Sequence, residues 1–142
     1  MSADTFIDTN VFVYHLDASD AGKHAVAEQV VRHALGEGRG CISFQVVQEC
    51  LNTVLRKAEV PLDEAGARSY LDAVLLPLMQ VPSTAALYRR ALDVRQRWRF
   101  SFYDSLIVAA ALHAGCRRVL SEDLLHGQRI EGLVVESPFL GS

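Results

Sequence analysis

Short apolar runs alternate along this chain with longer stretches in which apolar residues recur three and four positions apart. The short runs are typical of strands and the longer stretches of helices. Gly38 and Gly115 are predicted to end helices, Pro77 to close one, and Ser43 and Ser83 to cap two others. The predicted strands are residues 5–9, 41–43, 78–81, 118–121 and 133–136. The predicted helices are residues 20–35, 44–57, 62–77, 83–97 and 103–114.

Strands that are separated by helices predict a parallel sheet with helices on both faces, the α/β class. The helix at 103–114 is apolar on nearly every face, so we expect it to be buried at the centre. With 142 residues, the chain is expected to form one domain spanning 1–142.

Composition favours a folded cytoplasmic protein. Half of the residues are hydrophobic and 22% are charged, which is enough apolar surface for a core. No apolar run approaches the length of a membrane span. The N-terminal residues lack a basic segment followed by an apolar stretch, so we expect no secretion. The cysteines, Cys41, Cys50 and Cys116, have no metal-ligand spacing and are expected to be buried free thiols.

Four acidic residues stand where an apolar run ends or within an apolar helix: Asp8, Glu49, Asp104 and Asp123. Carboxylates at the edge of a core are costly, and several together repel one another. A hard divalent cation such as Mg²⁺ or Mn²⁺ relieves both costs. Because ligands of open α/β sheets bind beyond the carboxyl ends of the strands, the sequence predicts a metal site there.

Each acid also has a structural interpretation when it is taken alone. Asp8 could cap the segment that begins at Asn10, and Asp104 could be a helix N-terminal charge. Asp123 could be a loop or cap residue. Glu49 belongs to a polar stripe at helical spacing that could simply be solvated. That stripe consists of Gln45, Glu49, Asn52 and Arg56.

Charge is distributed unevenly along the chain. The formal net charge of −3 argues against non-specific binding of nucleic acid. Five arginines nevertheless cluster just before Asp104, with aromatic residues among and after them, a mixture that suits a phosphate backbone and stacked bases. From charge alone, a solvated helix face is the favoured alternative. The arginines are Arg89, Arg90, Arg95, Arg97 and Arg99.

Four motifs together resemble those of PIN-domain ribonucleases. Residues 6–11 (FIDTNV) resemble the opening strand of that family, and residues 43–49 (SFQVVQE) its second motif. Residues 103–111 (YDSLIVAAA) resemble the third motif, and residues 120–124 (LSEDL) the fourth. Their order and the chain length also agree, and VapC-like toxins are the natural subclass for a single-domain member.

The resemblance implies a small parallel sheet with flanking helices, a Mg²⁺ or Mn²⁺ site and cleavage of RNA. It implies metal-site and catalytic roles for Asp8, Glu49, Asp104 and Asp123. Asn10 and Ser121 match polar supporting positions, and the family often has Thr at the position of Ser121. Glu122 adds an acid that could substitute as a ligand. Among the arginines, those expected to contact RNA are Arg95, Arg97 and Arg99.

A toxin also implies protein partners. A small antitoxin would insert a segment into the acidic groove, with an arginine near the carboxylates. Family members commonly form homodimers, and an apolar segment could supply the surface, although burial within the domain suits most of its residues better. These residues are Leu75, Leu76, Leu78 and Met79.

Other functions remain open from the sequence. An acidic Mg²⁺ phosphatase is disfavoured, because Asp8-Thr9-Asn10 has an amide where that class needs a second acid. A catalytically inactive PIN fold would act as an RNA- or protein-binding module, but all four acids are present. A solitary RNA-processing nuclease would share the whole site and lack only the antitoxin.

Overall fold

One six-stranded sheet organises the chain, with its first strand, β1, near the centre. The computed structural model describes residues 3–57, 59–60 and 62–141. The strands are β1 (Thr5–Ile7), β2 (Gly40–Ser43), β3 (Met79–Val81), β4 (Arg118–Leu120), β5 (Arg129–Ile130) and β6 (Leu133–Glu136). Their order is β3-β2-β1-β4-β6-β5, and every pair is parallel except β5 with β6. The carboxyl ends of β1 and β4 therefore lie side by side.

Helices connect the parallel strands, and most of them begin at a polar cap residue. They are α1 (Thr9–Leu16), α2 (Ala21–Glu37), α3 (Phe44–Arg56), α4 (Glu64–Tyr70), α5 (Leu76–Leu78), α6 (Ala85–Trp98) and α7 (Phe102–His113), with a π-helical segment (Leu71–Leu75) joining α4 to α5. The side chains of Asp8, Asp20, Asp63, Thr84 and Ser101 each accept a hydrogen bond from a backbone N–H of the first turn, which satisfies an otherwise unpaired donor.

The α/β class is confirmed, and several predicted boundaries are wrong. The predicted strand 5–9 ends at Ile7, because the Asp8 side chain caps a helix that the apolar pattern did not reveal. Thr84 rather than Ser83 caps α6, and Ser43 precedes α3 without a capping side-chain hydrogen bond. Pro77 does not close the helix before it: it lies within α5, near the N-terminus where the missing N–H is tolerated.

The core surrounds β1 and α7. In α7, every residue from Ser105 to Ala111 is buried, as the apolar sequence predicts. The three cysteines are buried and free, again as predicted. Of the apolar segment considered for a dimer surface, Leu75 and Leu78 are buried, while Leu76 and Met79 are exposed. No helix within the described residues is long and apolar enough to span a membrane.

Candidate functional site

The site begins where the two central strands end. Asp8 follows β1, and its N–H donates to the carbonyl of Leu120 at 2.9 Å. Ser121 follows β4, and its N–H donates to the carbonyl of Glu136 at 3.0 Å. The sheet pairing thus continues for one residue past each strand, which holds Asp8 and Ser121 in fixed positions next to each other.

Asp8 is a buried carboxylate with two hydrogen-bond donors. The Thr9 N–H donates to Oδ1 at 2.7 Å, and the Ser121 hydroxyl donates to Oδ2 at 2.8 Å. Burial raises the pKa of Asp8 to about 6; the two hydrogen bonds oppose the rise, and the charges of Asp123 and Glu49 add to it. The folded protein therefore holds an ionised Asp8 at neutral pH only at a cost.

Glu49 reaches the same region from α3. The Thr9 hydroxyl donates to its Oε1 at 2.7 Å, and the Gln45 side-chain amide donates to its Oε2 at 3.4 Å. The same Gln45 Nε2 donates to the carbonyl of Tyr103 at 3.2 Å. Gln45 is only 3% exposed, so this part of the polar stripe is not solvated. Gln45 connects the second acidic segment to the third.

Asp104 and Asp123 complete the acidic group. Asp104 lies in the first turn of α7, and its N–H donates to the capping Ser101 hydroxyl at 3.1 Å. The Asp123 N–H donates to the Ser121 hydroxyl oxygen at 3.1 Å. Burial, followed by the charges of Asp104, Glu122 and Glu49, raises the pKa of Asp123. The Ser121 hydroxyl thus orients the Asp8 carboxylate and holds the backbone of Asp123 beside it.

All four predicted acids line one cleft of about 470 Å³. They come from four segments far apart in the sequence, and electrostatic repulsion already couples them. The described lining residues are Asp8, Thr9, Asn10, Val13, Tyr14, Gln45, Glu49, Asn52, Thr53, Lys57, Asp104, Ile107 and Asp123.

The chemistry of this cleft fits a hard divalent cation. The four acids supply carboxylate oxygens, the ligands that such cations prefer, and a bound cation would offset the repulsion between the carboxylates. Over the described part of the chain, however, no three His, Cys, Asp or Glu side chains stand close enough together to hold a metal ion as they are.

The predicted supporting residues differ in their surroundings. Asn10 lines the cleft, and both polar atoms of its side chain are buried without a hydrogen-bond partner. Glu122 is not among the lining residues. Its carboxylate accepts from the Tyr14 hydroxyl at 2.7 Å and from the Lys23 ammonium at 2.6 Å. Lys23 also donates to the Tyr14 hydroxyl at 3.3 Å, and its hydrogen bonds, first to Glu122 and then to Tyr14, raise the pKa of Lys23.

The arginines predicted to contact RNA lie outside this cleft. Arg95 and Arg97 are in the last turn of α6, and Arg99 ends that helix in the left-handed conformation. Arg97 instead lines a second cleft of about 520 Å³ on α6, together with Arg89 and Arg90.

The sequence patterns assign no functional role to three residues of the cleft, although they place Gln45 in the polar stripe of Glu49. Thr9 and Gln45 contact Glu49 directly, and Gln45 could have been found because it lies one helical turn before Glu49. Lys57 lines the cleft two turns beyond Glu49. Its role depends on the cleft, which only the fold reveals.

Fold and site together define an α/β domain with an acidic cleft at the carboxyl edge of its sheet. Residues 5–125 match the family model described as PIN domain. The chain belongs to the PIN domain family. Comparison with curated protein sequences gave no significant match.

Solved structures with the same fold share little sequence with this chain. A toxin–antitoxin complex from Klebsiella pneumoniae gives a TM-score of 0.65 at 16% identity, covering 95% of this chain and 98% of that one. VapBC2 from Rickettsia felis, bound to a promoter DNA fragment, gives 0.63 at 15% identity, covering 94% and 97%. VapC20 from Mycobacterium tuberculosis, a sarcin–ricin loop cleaving toxin, gives 0.57 at 22% identity, covering 84% and 89%.

Proposed function

We propose that this chain, as one PIN nuclease domain over residues 1–142, is a metal-dependent endoribonuclease and the toxin of a toxin–antitoxin pair. The observation that carries the proposal is the convergence of Asp8, Glu49, Asp104 and Asp123 on one cleft. Four separate segments supply these acids, and each acid is the one that the family motifs mark. Similarly folded proteins include toxins in complex with antitoxins and a toxin that cleaves the sarcin–ricin loop.

The four carboxylates would hold Mg²⁺ or Mn²⁺, which when bound supplies a nucleophilic water near neutral pH and neutralises charge on the phosphate. Thr9 and Ser121 keep the Asp8 carboxylate in one orientation through the two hydrogen bonds they donate. Thr9 and Gln45 do the same for Glu49. The ligand set is thus oriented before substrate arrives, which limits the reorganisation needed during the reaction.

Asp123 is the acid best suited to accept the proton of the attacking water. Of the four acids it alone is exposed, whereas Glu49 and Asp104 are partly buried and Asp8 is buried, so an attacking water reaches its carboxylate most easily. Water would attack phosphorus, its proton would pass to the Asp123 carboxylate, and the P–O bond to the leaving oxygen would break. Protonation of that oxygen from solvent completes the hydrolysis.

The test is a cleavage assay on total cellular RNA with Mg²⁺, with Mn²⁺ and with EDTA, followed by mapping of the cut ends. The wild type should cut RNA with either metal and not in EDTA, and Asp104→Asn should be inactive while remaining folded by circular dichroism. An inactive wild type would leave the PIN fold as a binding module. Full activity of Asp104→Asn would exclude the acidic cleft as the active site.

The toxin role is tested separately, by expression in a bacterial cytoplasm without a partner. Growth arrest that disappears with Asp104→Asn supports a toxin that an antitoxin normally blocks. Normal growth, with full activity in vitro, would indicate a solitary RNA-processing enzyme. We further propose a homodimer, with exposed Leu76 and Met79 as part of its surface; a monomeric mass by light scattering would exclude it.

A further inference from the structure

The charge of the acidic cleft poses a problem for an RNA substrate. Four carboxylates line it, and an RNA strand brings one negative charge with every phosphate. A metal ion offsets this repulsion at the scissile phosphate, but the neighbouring phosphates need cations from the protein. Among the described residues that line the cleft, Lys57 is the one lysine or arginine.

Lys57 lies at the end of a polar track along α3. It is the C-cap residue of that helix, eight positions after Glu49 and therefore roughly 12 Å farther along the helix axis. Asn52 and Thr53 lie between them and line the same cleft. The track thus begins at a predicted metal ligand, passes two groups that can form hydrogen bonds, and ends at a cation.

Lys57 is loosely held by its partner within the protein. Its ammonium lies 3.3 Å from Oδ2 of Asp17, longer than the roughly 2.7–2.9 Å of a strong charged hydrogen bond. Its side chain is 38% exposed, against 7% for Asp17. Hydrogen bonds from Ser19 are the main cause of the lowered pKa of Asp17, and Lys57 contributes less. Asp17 therefore keeps its main partner when Lys57 moves.

We propose that Lys57 binds a phosphate next to the scissile one, so that the RNA strand runs along α3 from Glu49 towards the end of the helix. In the complex, Lys57 exchanges Asp17 for the phosphate. This inference rests on the proposed ribonuclease function and extends it to the path of the substrate. It also gives the cleft a cation of its own, whereas the arginines at the end of α6 do not line it.

Steady-state cleavage of single-stranded RNA with Mn²⁺ tests this path, and Arg56 provides a matched control. Arg56 is adjacent to Lys57, exposed and cationic, and does not line the cleft. Lys57→Gln should raise KM about tenfold and leave kcat nearly unchanged, as expected for a contact made equally in the ground and transition states. Arg56→Gln should change neither constant, and Lys57→Arg should retain most of the affinity.

Salt dependence distinguishes a phosphate contact from a general change in shape. Loss of one contact to a single strand should make the slope of log affinity against log salt shallower by about 0.7. Arg56→Gln should keep the wild-type slope. An unchanged KM and slope for Lys57→Gln, or equal effects of Arg56→Gln, would overturn the proposal.

Asp17→Asn separates contact with RNA from loss of the ion pair. This variant frees Lys57 and keeps an oxygen that can accept from the Ser19 N–H. If Lys57 binds phosphate, KM should stay the same or fall. If the ion pair only maintains the shape of the cleft, KM should rise as much as in Lys57→Gln, and the proposal fails.

If the proposed ribonuclease function is wrong, the wild-type protein will not cleave RNA, whatever the outcome for the Lys57 variants. The same variants are then compared by binding of single-stranded RNA in EDTA. An affinity that is about tenfold lower for Lys57→Gln and unchanged for Arg56→Gln would still support the path along α3. Equal affinities would overturn it.

Discussion

Replacing Asp8 by Asn should stabilise the metal-free protein at neutral pH. The pKa of Asp8 rises from 3.8 to about 6 in the folded state, and this difference corresponds to about 3 kcal/mol of unfavourable free energy for the ionised form. An amide removes that cost. Its nitrogen cannot accept the Ser121 O–H as Oδ2 does, and the lost hydrogen bond costs about 1 kcal/mol. The net gain is about 2 kcal/mol, or roughly 6 °C in Tm.

The gain should depend on pH in a definite direction. Below pH 3.8 the carboxyl is neutral in both the folded and unfolded states, so ionisation of Asp8 costs nothing. As pH rises from 3.8 to about 6, the unfolded chain loses this proton while the folded protein keeps it, and the wild type loses stability. The Asp8→Asn variant does not titrate there. Its advantage should therefore be largest above pH 6 and reverse near pH 4, where the variant is about 0.5 kcal/mol less stable, approaching about 1 kcal/mol at lower pH.

Urea unfolding in EDTA, followed by the fluorescence of the single tryptophan, Trp98, measures both effects at pH 4, 5, 6 and 7.5. Asp72→Asn is the matched control, because Asp72 is exposed on the helical segment before α5 and does not line the cleft. Its unfolding free energy should stay close to that of the wild type. A less stable Asp8→Asn protein at pH 7.5, or a difference independent of pH, would refute burial as the cause of the raised pKa.

Two further predictions concern the same cleft, and a third concerns the arginines of α6. Glu49→Gln should weaken Mn²⁺ binding, measured by calorimetry, by about tenfold or more. Glu122→Gln should change the Mn²⁺ affinity little, since Lys23 holds the Glu122 carboxylate. A larger loss of affinity in Glu122→Gln than in Glu49→Gln would make Glu122 the metal ligand. Ser121→Ala should raise the pKa of Asp8 above about 6 by removing a hydrogen bond to the carboxylate, which NMR titration in EDTA would detect; an unchanged pKa would contradict this. Replacing Arg95, Arg97 and Arg99 together by Gln should modestly weaken the binding of RNA to the metal-free protein and make its dependence on salt concentration shallower. An unchanged affinity would assign these arginines to a solvated face.

Local patterns predicted most of the fold, and they failed where tertiary contacts decide. The strand at 133–136 agrees residue for residue with β6. Helix α1 was missed because Val11, Phe12 and Val13 are all buried, so the segment lacks the one-sided apolar pattern of a surface helix. The two-residue strand β5 is too short to show a period, and its antiparallel direction follows from the tight turn to β6.

The sequence predicted the acids that line the candidate site, and it did not predict the side chains that contact them. Asp8, Asp104 and Asp123 stand beside strand or helix ends that can be read from the sequence. Gln45 shares a helix with Glu49, so its spacing was visible although its burial was not. The ion pair between Lys23 and Glu122 joins residues 99 positions apart, and no local pattern encodes such a contact.

Because the central strand β1 pairs with strands far away in the sequence, the cleft can form only late in the synthesis of the chain. Asp8 leaves the ribosome before its hydrogen-bond partner Ser121, which is 113 positions later, and Asp123 is later still. Contacts over such separations close late and slowly. A nascent chain that has not yet added β4 lacks two of the residues that shape the site. Translation itself therefore delays the assembly of the cleft until the strands after Asp8 have emerged and paired.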